Sequence, residues 1–130
     1  MREIKFRAWE PDTEMGKPGS MSYDQDFCHS QILHNDGIEI MQFTGLKDKN
    51  GKDIYEGDVL KENDKLYEVT WDTEYGVWRA FYRKGPSVLC KDMPFALWNY
   101  FHIPGSQEYK SRVDVVGNIY ENPELLKDKI

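Results

Sequence analysis

The sequence is poor in the residues that most often mark a catalytic or metal site. Its 130 residues include only two cysteines and three histidines. Cys28, His29 and His34 lie close together, but neither a Cys-x-x-Cys nor a His-x-x-x-His pair occurs, which argues against a metal site. A Gly-x-Ser-x-Gly nucleophile elbow and the glycine-rich phosphate loops are also missing. We therefore predict no catalytic residue, no metal ligand and no cofactor.

Long hydrophobic runs are missing as well. No stretch approaches the roughly 18 apolar residues that a membrane-spanning helix needs, and no pattern typical of a secretory signal is present. Together with Cys28 and Cys90 as two free thiols, these absences predict a cytoplasmic protein without a membrane partner. The net charge of −6 makes nucleic acid an unfavourable partner, because two acidic surfaces repel each other.

Aromatic residues, in contrast, are abundant. They make up 14% of the chain, which can supply a small core without disulfides or metal. Many short strand patterns, separated by turn signals at intervals of roughly 8–12 residues, predict a mainly β fold built as a small barrel. Short helices are expected after Pro94 and after Asn122, where proline can occupy the first helical position.

The first strand pattern covers residues 4–8. Ile4, Phe6 and Ala8 alternate with charged residues that include Arg7, and this period of two predicts a half-buried strand with the apolar side chains inward. A polar, partly acidic loop follows. We therefore divide the domain into an N-terminal extension, residues 1–40, and a barrel core, residues 41–122.

The strongest local signal is a hairpin between residues 66 and 82. Two alternating runs rich in aromatic and β-branched residues surround a short loop that contains glycine. These aromatic side chains can belong to the core, form a protein interface or stack on single-stranded bases. The candidate interaction surface consists of Tyr67, Trp71, Trp78, Arg79 and Tyr82.

The segment from Phe43 to Leu60 holds the densest turn signals. Asn50 and Gly51 predict a solvent-exposed turn. In the next turn, Gly57 supplies a backbone conformation that other residues resist, and Asp58 can bond the local backbone. Glu56 and Asp58 could instead serve as paired carboxylates in acid–base catalysis, but a structural role is favoured. A later strand pattern, residues 112–120, is interrupted at Gly117, which predicts a bulge or a close backbone approach.

Three sequence blocks span the chain in order: MREIKFRAW at 1–9, MQFTGLKDKNGKDIYEGDV at 41–59 and VGNIYENPELL at 116–126. Together they resemble the YopX family, which phages and prophages of low-GC Gram-positive bacteria encode. The resemblance implies one YopX-like domain over residues 1–130, an SH3-like barrel and association into homo-oligomers. It implies no catalytic residues, because the family has no established activity.

These observations predict a non-enzymatic phage or prophage accessory protein that self-associates and binds an unidentified host or phage protein. The missing catalytic motifs, the acidic charge and the excess of Trp and Tyr carry this hypothesis. A small barrel that binds single-stranded nucleic acid through the hairpin aromatic residues is the alternative. An enzyme that uses Glu56 and Asp58 is a weaker alternative, since it requires both carboxylates to face one cleft.

Overall fold

A computed structural model describes residues 4–11, 19–23, 38–86, 89, 92–97 and 111–126. Within these residues the chain forms nine strands and one short 3₁₀ helix. The strands are β1 Phe6–Glu10, β2 Ser20–Tyr23, β3 Glu39–Lys47, β4 Asp53–Tyr55, β5 Asp58–Glu62, β6 Lys65–Asp72, β7 Val77–Lys84, β8 Pro94–Ala96 and β9 Asp114–Asn118, and the helix is Pro123–Leu126. None of the described helical segments is long and apolar enough to cross a membrane.

The strands form two curled antiparallel sheets that make a half-barrel. The four-stranded sheet has the order β2-β1-β3-β4, and the five-stranded sheet has the order β8-β7-β6-β5-β9. The mainly β, SH3-like fold with an N-terminal extension and short helices is therefore confirmed. A hydrophobic core fills the space that the curled sheets enclose. Its buried members are Ile54, Leu60, Tyr67, Val69, Ala80, Tyr82, Leu97 and Val113.

The prediction for the first strand is confirmed in part, but it is wrong about where the strand begins and about the facing of three side chains. β1 begins at Phe6 and ends at Glu10, and Ala8 is buried as expected. Ile4 and Phe6, however, are exposed, and Arg7 is buried. The period-two rule assumes that one face of the strand meets water. In β1, Arg7 and its neighbour Ala8 are both buried although they point to opposite faces, and the Arg7 cation can be buried because Asp58 supplies its counter-charge.

Two further expectations have different outcomes. The segment after Pro94 is not a helix at its start, because Pro94–Ala96 forms the edge strand β8, a position where a missing N–H donor does no harm. The irregularity at Gly117 is confirmed: Val59 pairs with Gly117 but Leu60 pairs with Val115, so one residue bulges out of β9. The neighbour that lies close to Gly117 is a side chain and not another backbone segment, since a Cβ on Gly117 would lie 2.5 Å from Asn122 Oδ1.

Candidate functional site

The predicted hairpin is confirmed, and its aromatic side chains share a face. β6 and β7 pair so that Tyr67 lies opposite Tyr82 and Trp71 lies opposite Trp78. Because side chains alternate along a strand, these two cross-strand pairs point to the same side of the sheet. The tyrosine pair lies in the hydrophobic core, however, whereas the tryptophan pair lies nearer the hairpin turn, and only a pair outside the core can form a surface.

Tyr67 and Tyr82 are not part of any surface. Both are buried in the hydrophobic core, where their rings meet edge to face with centroids 5.6 Å apart. Tyr67 makes a second edge contact with Phe95 of β8. The candidate interaction surface is therefore corrected: Tyr67 and Tyr82 are buried inside the curled sheet, and they stabilise the fold.

The outer end of the hairpin carries what remains of that surface. Trp71 is 41% exposed and Tyr75, in the connecting turn, is 67% exposed. Trp78 is partly buried against the core and meets Trp71 edge to face at 4.9 Å. Val77 is also exposed. We call Trp71, Tyr75 and Trp78 the hairpin-tip surface, because Val77 points to the opposite face of the hairpin.

The charged residues of the tip hold its turn in place. Asp72 Oδ1 accepts hydrogen bonds from the backbone N–H groups of Glu74 and Tyr75, and its Oδ2 lies 3.1 Å from Arg79 Nε. Desolvation alone would raise the pKa of Asp72, but these donors outweigh it and lower the pKa below its usual value. The Arg79 guanidinium also lies over the Tyr75 ring, 5.6 Å from its centroid. The charge of Arg79 is thus engaged within the tip.

Sequence reasoning missed Tyr75 and Val77, although a signal for Tyr75 existed. A large aromatic residue inside a four-residue turn between two strands has no sheet face to pack on, so it must be exposed or cover its neighbours. Val77 begins β7 on the face opposite the aromatic pair, and no local pattern distinguishes it from a core valine.

The first predicted structural turn lies where it was expected. Gly51 has a φ of +83°, which glycine adopts without a Cβ clash. The backbone N–H of Asn50 donates to Asp48 Oδ1 at 2.9 Å, and its side-chain amide donates to Asp114 Oδ1 at 2.8 Å. This turn therefore connects to β9 through side chains and serves the fold.

The second structural turn joins the two sheets. Gly57 has a φ of +86°, its N–H donates to the Val69 carbonyl, and its own carbonyl accepts from the Ile119 N–H. Asp58 Oδ2 accepts the Tyr55 N–H at 2.8 Å. The prediction that Asp58 bonds the local backbone and fixes this turn is confirmed.

Arg7 is the partner that sequence reasoning did not find for Asp58. Its Nη2 lies 2.8 Å from Asp58 Oδ1 and donates to the Glu56 carbonyl at 3.1 Å, and its guanidinium lies 4.8 Å from the centroid of the Tyr55 ring. Only 3% of Arg7 and 1% of Asp58 are exposed. Burial raises the pKa of Asp58 to about 6, although the nearby Arg7 opposes this rise.

Glu56 and Asp58, the two carboxylates of the enzyme hypothesis, differ in their surroundings. Asp58 borders a cavity between the two sheets, whereas Glu56 is not among the residues that line it. Burial also raises the pKa of Glu56, but Glu56 is only half-buried, whereas Asp58 is almost fully buried. The geometry therefore does not place these two groups on one substrate.

Among the residues that the structure describes, no group of three or more His, Cys, Asp and Glu side chains could hold a metal ion. The residues considered first for metal binding, Cys28, His29 and His34, lie outside the described ranges, as does Cys90. The remaining candidates for chemistry within those ranges are the hairpin-tip surface and the buried Arg7–Asp58 pair.

Comparison with known proteins identifies a matching family and a similar solved structure. The family model described as YopX protein matches residues 5–127. The search of curated proteins finds no match. The chain is similar to the crystal structure of protein EF1440 from Enterococcus faecalis, with a TM-score of 0.50 and 27% sequence identity over 98% of this chain and 100% of that chain.

Proposed function

The chain belongs to the YopX family, and on this premise we propose that it is a non-enzymatic phage or prophage accessory protein that self-associates and binds another protein. The observation that carries the proposal is the hairpin-tip surface, where Trp71 and Tyr75 remain 41% and 67% exposed. Trp and Tyr supply a large share of the binding energy in protein interfaces, while scattered exposed apolar residues usually do not.

The rigidity of the tip supports the same proposal. Asp72 binds two backbone N–H groups of the turn and contacts Arg79, and Trp78 packs Trp71 against the body of the domain. A surface that is ordered before binding loses less conformational entropy when a partner arrives. The tip therefore presents large aromatic side chains in a prepared arrangement.

Self-association is tested by multi-angle light scattering on the purified chain and on a Trp71→Ala/Tyr75→Ala variant. We expect an oligomer that the double substitution dissociates, because each removed ring takes away apolar area from the contact. Ile4→Ala is the matched control, since Ile4 is also 67% exposed but lies at the start of the other sheet. The control should leave the oligomer intact.

Partner binding is tested by affinity capture from a lysogen with the same three proteins. A protein captured by the wild type and by Ile4→Ala, but lost with the tip variant, supports the proposal. A strict monomer that captures no such protein contradicts it. Equal capture by all three proteins would show that binding does not use the tip.

Binding to single-stranded nucleic acid is the second candidate, because the Arg79 cation lies over the exposed Tyr75 ring and Trp71 is a further exposed ring at the tip. Asp72 balances the charge of Arg79, and the net charge of −6 opposes a polyanion, so this function ranks lower. Titration with an oligonucleotide at low salt decides it. Quenched tryptophan fluorescence whose affinity falls steeply with salt would favour this function, and flat fluorescence would remove it.

A further inference from the structure

A polar cavity lies between the two sheets, away from the hairpin tip. Its volume is about 350 Å³, within the size range of small-molecule sites. β1 and β2 form one wall, and β5 with the bulged strand β9 forms the other. The side chains that matter for its chemistry are Arg7, Tyr23, Lys52, Asp58, Asn118 and Glu121.

Two buried groups, one from each wall, have incomplete hydrogen bonding. Arg7 Nε and Asp58 Oδ1 are buried and have no hydrogen-bond partner within the protein. Arg7 Nη2 lies 2.8 Å from Asp58 Oδ1, so the two groups form a close ion pair, but the contact does not have hydrogen-bond alignment. Buried polar atoms nearly always have such a partner. Arg7 Nε thus lacks an acceptor and Asp58 Oδ1 lacks an aligned donor, next to each other where the two walls meet.

The charges around the cavity restrict which ligand could supply both the missing acceptor and the missing donor. Arg7 and Lys52 are cations, and Asp58 and Glu121 are anions, so the lining is balanced. A net anion would meet two carboxylates, a net cation would meet two basic groups, and an apolar ligand would leave buried charges desolvated. We infer that the cavity binds a small zwitterion, a free α-amino acid, with its carboxylate toward Arg7 and Lys52 and its ammonium group toward Asp58 and Glu121.

The wall on the β9 side is held rigid before any ligand binds. Asn118 Oδ1 accepts the backbone N–H groups of Tyr120 and Glu121, and its Nδ2 donates to Glu121 Oε1 at 2.7 Å. The side chain of Asn122 accepts the Asn118 N–H. These bonds fix the Glu121 carboxylate at the rim of the cavity, as a preorganised site requires.

The first test is an amide NMR titration of the full chain with glycine and with alanine. We expect saturable shifts confined to the amides of Asp58, Gly117 and Asn118. Acetate and methylamine each carry half of the recognised group, so they should bind at least about tenfold more weakly, since each lacks one charge-assisted contact. Glycerol tests whether any neutral polar molecule is accepted, and it should cause no saturable shift.

The second test uses rim variants, because changing Arg7 or Asp58 itself can unfold the domain. Glu121→Gln keeps an acceptor for Asn118 but removes the charge, and Lys52→Gln removes the exposed cation; each should weaken glycine binding about tenfold. Glu74→Gln and Lys47→Gln are the controls, both exposed and outside the cavity. The inference is overturned if glycine and alanine cause no saturable shift, if acetate, methylamine or glycerol binds equally well, or if the rim variants bind like wild type. None of these outcomes bears on the hairpin tip.

Discussion

At the scale of single residues, Gly57 shows how one position can decide the path of the chain. It lies between β4 and β5, where the chain leaves one sheet and enters the other, and its φ of +86° is a conformation that L side chains resist. The surroundings are closed as well, since an added Cβ would lie 3.2 Å from Met41 Sδ. Gly51 has nearly the same φ, +83°, but no atom within 4 Å of an added Cβ.

These two glycines separate backbone strain from crowding. We expect Gly51→Ala to lower the free energy of unfolding by about 1 kcal/mol, the strain of a left-handed alanine. Gly57→Ala should lower it by about 2 kcal/mol or more, because the same strain is joined by a tight contact. Urea denaturation of both variants measures the difference. Equal losses would mean that the space beside Gly57 adjusts freely.

The Arg7–Asp58 pair gives the chain a pH dependence whose sign can be worked out. The folded-state pKa of Asp58 is about 6, above its ordinary 3.8, so the folded state binds this proton more tightly than the unfolded state does. The contribution of Asp58 to the free energy of unfolding is therefore greatest below pH 3.8 and falls as the pH rises through about 6. Arg7 limits this fall, because its charge favours the ionised carboxylate.

We therefore expect Arg7→Gln to be more damaging at pH 7.5 than at pH 5. At the higher pH it leaves a buried carboxylate without its counter-charge, a loss of about 3–5 kcal/mol, whereas at pH 5 the protonated acid needs no cation. Chemical denaturation of wild type and variant at both pH values measures this. Arg112→Gln, which removes a half-exposed arginine, is the control and should show no such pH dependence. A cost of Arg7→Gln that does not change with pH would contradict the pKa of Asp58.

At the scale of strands and turns, some of the structure could be predicted from local sequence and some could not. The β6–β7 hairpin was predictable because alternation and a glycine turn are local signals. The alternation gave the face of Tyr67 and Trp71 but not their distance from the core, so one is buried and the other exposed. The facing of Arg7 was not predictable, because its partner Asp58 is 51 positions away and no local pattern reports a strand covered on both sides.

Asp48 shows how one side chain connects elements that are distant in sequence. It is buried, its Oδ1 accepts the N–H groups of Asn50 and Lys52, and its Oδ2 accepts the Val115 N–H of β9 at 3.0 Å. Desolvation alone would raise the pKa of Asp48, but these backbone donors outweigh it and lower the pKa. The ionised form therefore stabilises the fold at neutral pH, and this contribution is lost as the pH falls below the ordinary value of 3.8.

We expect Asp48→Ala to lower the free energy of unfolding by about 3 kcal/mol, since three N–H groups lose a charged acceptor. Asp48→Asn keeps one oxygen acceptor, which can serve the turn or Val115 but not both, so its loss should be smaller. Hydrogen exchange of the Val115 amide is the specific readout, and it should speed up in both variants. Unchanged exchange at Val115 would show that Asp48 does not hold β9.

At the scale of the whole molecule, β1 binds the two sheets together. Within its own sheet, the Lys5 carbonyl just before β1 accepts the Phe43 N–H, and Lys5 Nζ lies 2.6 Å from Asp53. Toward the other sheet, Trp9 stacks on Tyr120, which follows β9. Arg7 adds the buried contact with Asp58 of the second sheet. The N-terminal extension therefore contributes directly to the environment of the barrel residues, and its removal should change the environment of Asp58.

A fragment of residues 38–130, which lacks Arg7, tests this dependence. The effect of Asp58→Asn on stability should have opposite signs in the full chain and in the fragment. In the full chain, Asp58→Asn should destabilise, because it leaves the Arg7 cation buried without a counter-charge. In the fragment, Arg7 is gone, so the same substitution should stabilise by removing an unpaired carboxylate from a site that remains partly desolvated. Thermal unfolding of all four proteins at pH 7.5 measures the two effects. If Asp58→Asn destabilises the fragment as it does the full chain, then Asp58 acts through the Tyr55 turn alone, and Arg7 does not couple the extension to the barrel.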